Sequence, residues 1–565
     1  MKEKCIGNGA GIGPLARRVG GTTLALSMLA LAGCGGNGNS TTTPAVAADQ
    51  TYTDNVAYSP NAGDSLPAAQ VTEQAAVMHH QWSSGGASVP YTTTTGHLTA
   101  SDTSGKLEAT MSYVAYVAQN TSGTPRPVTF FYNGGPGSSS VWLRLGSFAP
   151  TRVATPDPLM TNWPNYPLVD NAESLIATTD MVFIDPPGTG LSEAIAPNTN
   201  KTFWGSDPDV QVMRDFIRRY IAVNNLTGSP LYLYGESYGT PRTDMLSLSL
   251  ESAGVHLTGI VLQSSILNYA ASTGDTSAGS FPSYAAVAAY YNLASPSPTN
   301  LGTYAQQIRN FVTAQYTPLV QYSTATQQVA IPAATLSNWS SQTNLSTASL
   351  SAYFKYFYDT EASPGQTLLV PGYTIGRYDG RVSLPNSDSR LTADNDPSDI
   401  LISQPFTTAL AAQMPSYLGY QAPHATYQTL NDKIIGVWNF SHGGKTQPDT
   451  IPDLLAALML NPQLKVLASN GYHDLATPFF ETEKELARLK TVKGINPNIQ
   501  LTFYQGGHMI YLDNVARPQM QADLVSYYKN QSISNATTLA QLAAPWADQS
   551  PANTPTVATT VTTAP

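Results

Sequence analysis

Cysteine is almost absent from this chain: among 565 residues only Cys5 and Cys34 occur. Charge is scarce too, with Asp, Glu, Lys and Arg at 11% and a formal net charge of -10. The first shortage excludes a disulfide-stapled scaffold, so stability has to come from an apolar core. The second excludes a nucleic-acid backbone as partner, because no basic surface can be assembled. Long hydrophobic runs are missing as well. The apolar stretch from Leu24 to Ala32, preceded by Lys2, Lys4, Arg17 and Arg18, is too short to span a bilayer permanently and reads as an export signal within residues 1–34. No repeat with a period of 20 to 50 residues is apparent, which excludes solenoids and propellers. Of the eight histidines, His442 in His442-Gly443-Gly444 has no second ligand at metal-site spacing and reads as loop, so no metal or other cofactor is expected.

The signal ends in Leu31-Ala32-Gly33-Cys34, which resembles the lipobox of bacterial lipoproteins. That resemblance implies lipidation of Cys34, removal of Cys5 with the signal, and a protein anchored in the bacterial cell envelope, periplasm-facing or extracellular. Arg17-Arg18 fits the twin-arginine route and equally fits plain positive charge. Residues 35–67 are rich in Gly, Asn, Ser, Thr, Pro and Ala with few large apolar side chains, and are expected to form a flexible tether. Residues 533–565 repeat the bias and are expected to be a disordered tail.

Between them, short apolar runs recur: Val128 to Tyr132, Met181 to Asp185, Leu231 to Tyr234, Gly259 to Gln263, Leu464 to Ser469 and Gln500 to Tyr504. Such runs predict buried, mostly parallel strands. Helical patterns over Val210 to Val223 and Thr240 to Glu251 separate some of them, as βαβ units require, while His97 to Ala100 and Leu107 to Val117 alternate like an edge hairpin. The fold class is therefore α/β, with a core over 68–268 and 463–532. Residues 269–462, rich in Tyr, Ala, Ser and Pro, are expected to be a helical cap insertion.

Gly235-Glu236-Ser237-Tyr238-Gly239 follows the apolar run from Leu231 and precedes a helical pattern. A serine between glycines at a strand-to-helix turn is a nucleophile elbow, which exposes the hydroxyl of Ser237. The order serine, acid, base required of an α/β hydrolase then points to Asp474 and His508, each just after a late strand. His473 is a rival base, but its neighbour Asp474 faces the other way on an extended segment, so His473 is expected to border the pocket. A fourth strand end carries Asn133-Gly134-Gly135-Pro136-Gly137, where the N–H of Gly135, with that of Tyr238, can face a developing oxyanion.

Together Asn133-Gly134-Gly135-Pro136-Gly137, Gly235-Glu236-Ser237-Tyr238-Gly239, Gly507-His508-Met509 and Asp185-Pro186-Pro187-Gly188-Thr189-Gly190-Leu191-Ser192 resemble the serine carboxypeptidase family of α/β hydrolases over most of residues 100–520. The resemblance implies an α/β hydrolase fold and release of C-terminal residues from peptides through an acyl-enzyme. It assigns recognition of the substrate carboxylate to Asn133 and Glu236. A carboxylic acid donates to a carboxylate only while the pair shares a proton, so binding is expected to favour acidic pH. The pattern is incomplete here. Phe131 stands where many members carry Trp, Ser138 where they carry Cys, and Ser147-Phe148-Ala149-Pro150 where they carry a second recognising Glu. Arg144 or Arg152 is expected to substitute for that Glu. Its loss keeps an esterase or acyltransferase open as the alternative, and a non-catalytic binding lipoprotein remains a third. Oligomeric state is not readable from the chain.

Overall fold

Valine, isoleucine, leucine and aromatic residues in runs of five to seven cannot form buried helices of useful length, and here they form the strands of one large sheet. The computed structural model describes residues 48–156, 166–271, 273–326, 331–352, 364–391, 396–492 and 498–542. The signal, Cys34 and the lipobox lie outside these, as do residues 35–47 and 543–565 of the expected tether and tail. The strands are β1 (Ala75–Ser84), β2 (Ala87–Ser101), β3 (Leu107–Ala118), β4 (Val128–Tyr132), β5 (Asp180–Ile184), β6 (Leu231–Glu236), β7 (Gly259–Gln263), β8 (Lys465–Gly471), β9 (Ile499–Tyr504) and β10 (Thr537–Thr538). Their order across the sheet is β10-β9-β8-β7-β6-β4-β5-β3-β2-β1. Pairing is parallel from β9 through β5 and antiparallel at both margins. The six central strands fall on the six predicted runs, and the fold class is α/β as expected.

Side chains leave a strand alternately on either side, and the two faces bury different helices. The principal helices are α1 (Val141–Gly146), α2 (Ser206–Val223), α3 (Gly239–Ser252), α4 (Thr273–Tyr290), α5 (Pro397–Ser416), α6 (Ile451–Leu460), α7 (Phe479–Ala487) and α8 (Ala516–Tyr528). Phe130, Leu233 and Ile260 pack under Phe216 and Ile217 of α2 and Leu246 and Leu250 of α3. Phe131, Tyr232 and Val261 face Met520, Leu524 and Tyr528 of α8. Each such side chain, fully buried, contributes about 1.5–3 kcal/mol.

Four boundaries read from composition need correcting. Residues 48–67 are not a tether: Tyr52 and Thr53 pair in parallel with Tyr420 and Gln421, and Asp54, Tyr58 and Leu66 are buried. One backbone pairing and three buried side chains, Asp54 among them accepting from the Tyr58 and Tyr420 hydroxyls, suffice to hold a segment whose average composition is polar. Residues 533–542 are not tail, since β10 extends the sheet edge and Ile533, Leu539 and Leu542 are buried. The cap insertion ends early: α6 packs Leu454, Ala457 and Leu458 into the same core as α3. The edge hairpin is also larger than its alternation suggested, because Ala75–Ser84 joins it in a polar stretch containing His79 and His80. The remainder of 269–462 does form a largely helical layer, whose own core around Phe281, Tyr304, Phe311 and Trp339 closes onto Phe479 and Phe480 of α7.

Candidate active site

β6 ends in a turn that only small residues permit. Ser237 has a φ of +60°, a left-handed conformation rare for a residue with a side chain. A β-carbon on Gly235 would lie 2.1 Å from the Gly239 carbonyl oxygen, so residue 235 must be glycine. The turn leaves Ser237 half-buried within a run of buried neighbours. Behind it, Arg242 of α3 is fully buried and pairs with Asp209 of α2 at 2.6 Å, while its Nη1 donates to the Asn133 carbonyl at 2.7 Å. That arginine ties the elbow helix to the glycine-rich segment after β4.

The segment itself presses against the elbow. A β-carbon on Gly134 would lie 2.3 Å from the Tyr238 backbone nitrogen, which sets the Gly134-Gly135 backbone beside the Tyr238 N–H. Asp185, from the fourth motif, holds the far side of the same loop: it accepts from Ser140 N and Oγ, both at 2.8 Å, and from Ser112 Oγ at 2.8 Å.

Asp474 and His508 meet as their positions after β8 and β9 predict. His508 Nδ1 and Asp474 Oδ2 are 2.9 Å apart, with both residues buried. Asp474 is oriented by donors from Ala476 N at 2.8 Å, Thr477 N at 2.9 Å and Thr477 Oγ1 at 2.7 Å. Burial opposes charge on His508, but the Asp474 charge and hydrogen bond outweigh it and, with Glu236, hold the imidazolium above its ordinary range. With Nδ1 engaged by the aspartate, Nε2 is left to face a nucleophile.

Glu236 sits at the same junction, nearly sealed from solvent. Its Oε1 accepts from Asn133 Nδ2 and its Oε2 from Gln263 Nε2, each at 2.8 Å. Burial raises its carboxyl to about 7, against the nearby charge of His508, which lowers it. Gln263 was not foreseen; a polar residue closing the otherwise apolar strand β7 is the signal that marks it. Nor was the cap segment Arg377 to Arg381. Tyr378 O accepts from His508 N at 2.6 Å and its ring lies tilted against the imidazole, centroids 5.2 Å apart, while Gly380 N donates to His473 O at 3.0 Å. His473 itself is buried, hydrogen-bonded through Nδ1 to the Gln505 carbonyl, and lowered to about 4 by burial and then by Arg381. It lines a cavity with Tyr290 and Arg381, away from the Asp474 side chain.

Two expectations fail. Arg144 donates to Gln413 and lies among Tyr116, Tyr427 and Asp185, while Arg152 donates to Val153 O near Arg517 and Glu173. Neither is among the groups that act on Glu236, because α1 turns Arg144 toward Gln413 of α5 and Arg152 lies beside Arg517 and Glu173. Ser147 does not help either: its Oγ donates to Leu143 O at 2.6 Å. His442 is more than loop, since it bridges Asp207 at 2.6 Å and Asp453 at 2.9 Å. Among the described residues no group of three or more His, Cys, Asp and Glu side chains is arranged to hold a metal.

A family model described as serine carboxypeptidase matches residues 85–498, most of the chain; β1 precedes the match, and β9, His508, α8 and β10 follow it. The chain belongs to the serine carboxypeptidase family. It is a hydrolase of that family by sequence. Among solved structures it is similar to Kex1(delta)p, a prohormone-processing carboxypeptidase from Saccharomyces cerevisiae, at 16% identity over 79% of this chain and 94% of that one, with a TM-score of 0.48. It is also similar to a proline iminopeptidase from Mycobacterium smegmatis, at 13% identity over 80% of this chain and 98% of that one, with a TM-score of 0.29. No curated protein matches the chain.

Proposed function

We propose that this member of the serine carboxypeptidase family releases C-terminal residues from peptides through an acyl-enzyme at Ser237. The observation that carries the reading is the buried carboxyl of Glu236, joined to Asn133 and placed one residue from the nucleophile, beside the His508–Asp474 pair. Its partners are amides and its proton affinity is raised, as a group that shares a proton with a carboxylate requires.

Ser237 Oγ attacks the carbonyl carbon of the last peptide bond and its proton passes to His508 Nε2. Asp474 holds Nδ1–H and stabilises the imidazolium. The backbone N–H groups of Gly135 and Tyr238 receive the oxyanion. His508 then returns the proton to the leaving amine, the C–N bond breaks, and water, deprotonated by the same histidine, hydrolyses the ester. Glu236, protonated, and Asn133 hold the free carboxylate of the departing residue. Ser147 at the place of a second acid favours the alternative of an esterase or acyltransferase. Anchoring in the cell envelope through Cys34 belongs to the same proposal.

Full-length protein incubated with a peptide acid should release its C-terminal amino acid, and Ser237→Ala should release none. Cleavage of simple esters with no release of amino acids would replace the carboxypeptidase by the esterase.

A further inference from the structure

The hydrogen-bond inventory around Glu236 leaves one role unfilled. Asn133 Oδ1 accepts from Leu143 N at 3.1 Å, so it is the Nδ2 amide that faces Glu236. Gln263 Oε1 accepts from Tyr234 OH at 2.6 Å, and Gln263 Nε2 donates to His508 O at 3.1 Å as well as to Glu236. Both amides are thus fixed as donors, and an amide N–H cannot accept a proton. A protonated Glu236 needs an acceptor for its own O–H, and neither Asn133 nor Gln263 supplies one.

The phenol of Tyr511 is the group that can. It follows His508 by three residues, is fully buried, and its hydroxyl lies in electrostatic contact with Glu236 and Asn133. Yet among the described residues that hydroxyl has no hydrogen bond of regular geometry. An unmade hydrogen bond on a buried hydroxyl is costly and calls for an explanation. The ring is placed, not loose: Tyr511 O accepts from the buried Arg517 Nη1 at 3.1 Å, and the ring edge lies where a β-carbon on Gly146 would come within 2.5 Å. Gly146 directly precedes Ser147, the residue standing where the second recognising acid is missing. The small pair Gly146-Ser147 opens the space, and Tyr511 fills it from the opposite side.

Resting on the carboxypeptidase reading, we propose that Tyr511 is the positioning residue that lets Glu236 present its proton to the substrate's carboxylate, in place of a second acid. In the empty site the Glu236 O–H donates to the Tyr511 oxygen. When a substrate carboxylate arrives, the Glu236 proton turns to it and the Tyr511 O–H donates to the Glu236 oxygen left behind. No bond other than hydrogen bonds changes. The charged and titratable groups facing this pair are His508, Asp474 and Tyr234, with Arg377 acting on His508 from the cap.

The test is the ratio of kcat/KM for a peptide acid to that for the same peptide amide, measured on full-length protein. Tyr511→Phe is expected to lower that ratio about tenfold, through KM for the acid, with a small loss of thermal stability because the buried Glu236 proton loses its acceptor. In a Glu236→Gln background the same substitution should have no further effect, since Tyr511 acts through Glu236. Tyr116→Phe removes another buried unpaired hydroxyl, remote from the site, and should leave the ratio alone. An unchanged ratio in Tyr511→Phe, or a loss that persists undiminished in the Glu236→Gln background, overturns the inference while leaving the carboxypeptidase standing. A wild-type ratio near one overturns both.

Discussion

Glu236 and His508 are buried together, and each feels the other's charge: the carboxylate raises the imidazolium, and the imidazolium lowers the carboxyl. The proposed mechanism requires Glu236 protonated and His508 neutral, and two groups this close titrate jointly. As pH falls, His508 takes up its proton and turnover of every substrate declines. As pH rises through about 7, Glu236 loses its proton and only peptide acids are affected. The profile of kcat/KM is therefore expected to be bell-shaped for a peptide acid and to rise to a plateau for an aryl ester; Glu236→Gln should remove the alkaline limb for the acid. An alkaline limb shared by both substrates would assign it to another group. Ser237, His508, Asn133 and Glu236 could be singled out in the sequence because each lies at or just after a strand end inside a motif, and Asp474 because it follows a late strand; the fold brings Asp474 to His508 and Asn133 to Glu236. Gln263 and Tyr511 could not be, since a lone glutamine and a lone tyrosine carry no spacing, and only the fold sets them beside Glu236.

Strand, turn and helix cooperate at the elbow through one buried ion pair. Arg242 and Asp209 each expose only 1% of their side chains, and the arginine also stacks over Tyr132 and Tyr238. Removing one member of such a pair leaves an uncompensated buried charge. Arg242→Ala is expected to destabilise by about 3–5 kcal/mol and, by freeing the Asn133 carbonyl, to weaken peptide-acid binding more than ester turnover. Chemical denaturation and the two KM values check this, and a near-neutral substitution would show that the pair does not organise the elbow. The predicted elements that proved right, β4 to β9 with α2 and α3, are those whose burial on both faces forces a continuous apolar pattern. β1 and the strand at Tyr52 escaped because edge pairing needs only backbone and a few anchoring side chains.

Over the whole molecule, segments distant in sequence are fastened by polar clasps that composition does not reveal. His442 joins Asp207 at the start of α2 to Asp453 in α6, and these partners raise its imidazolium to about 9 despite partial burial. A folded value above the unfolded one of about 6.5 means the clasp stabilises fully below that pH and is lost as pH rises through about 9. His442→Ala should thus lower the melting temperature at pH 6 and leave it nearly unchanged at pH 10; an equal loss at both would assign the effect to packing. The cap is fastened in the same manner, by Arg381 to Asp513 and by Tyr378 to His508, so this layer carries part of the support of His508. Domain limits drawn from polarity alone missed this, because a clasp needs one charged pair, not a shift in composition.

The central claim is recognition of a free C-terminal carboxylate by protonated Glu236 next to Ser237. The most direct test is hydrolysis of one blocked dipeptide presented as the acid and as its C-terminal amide, at a pH below 7, by wild type and Glu236→Gln. The account predicts a preference for the acid of at least tenfold, worth about 1.4 kcal/mol, that collapses in the variant. Equal cleavage of acid and amide by the wild type, with Ser237 still required, would contradict it.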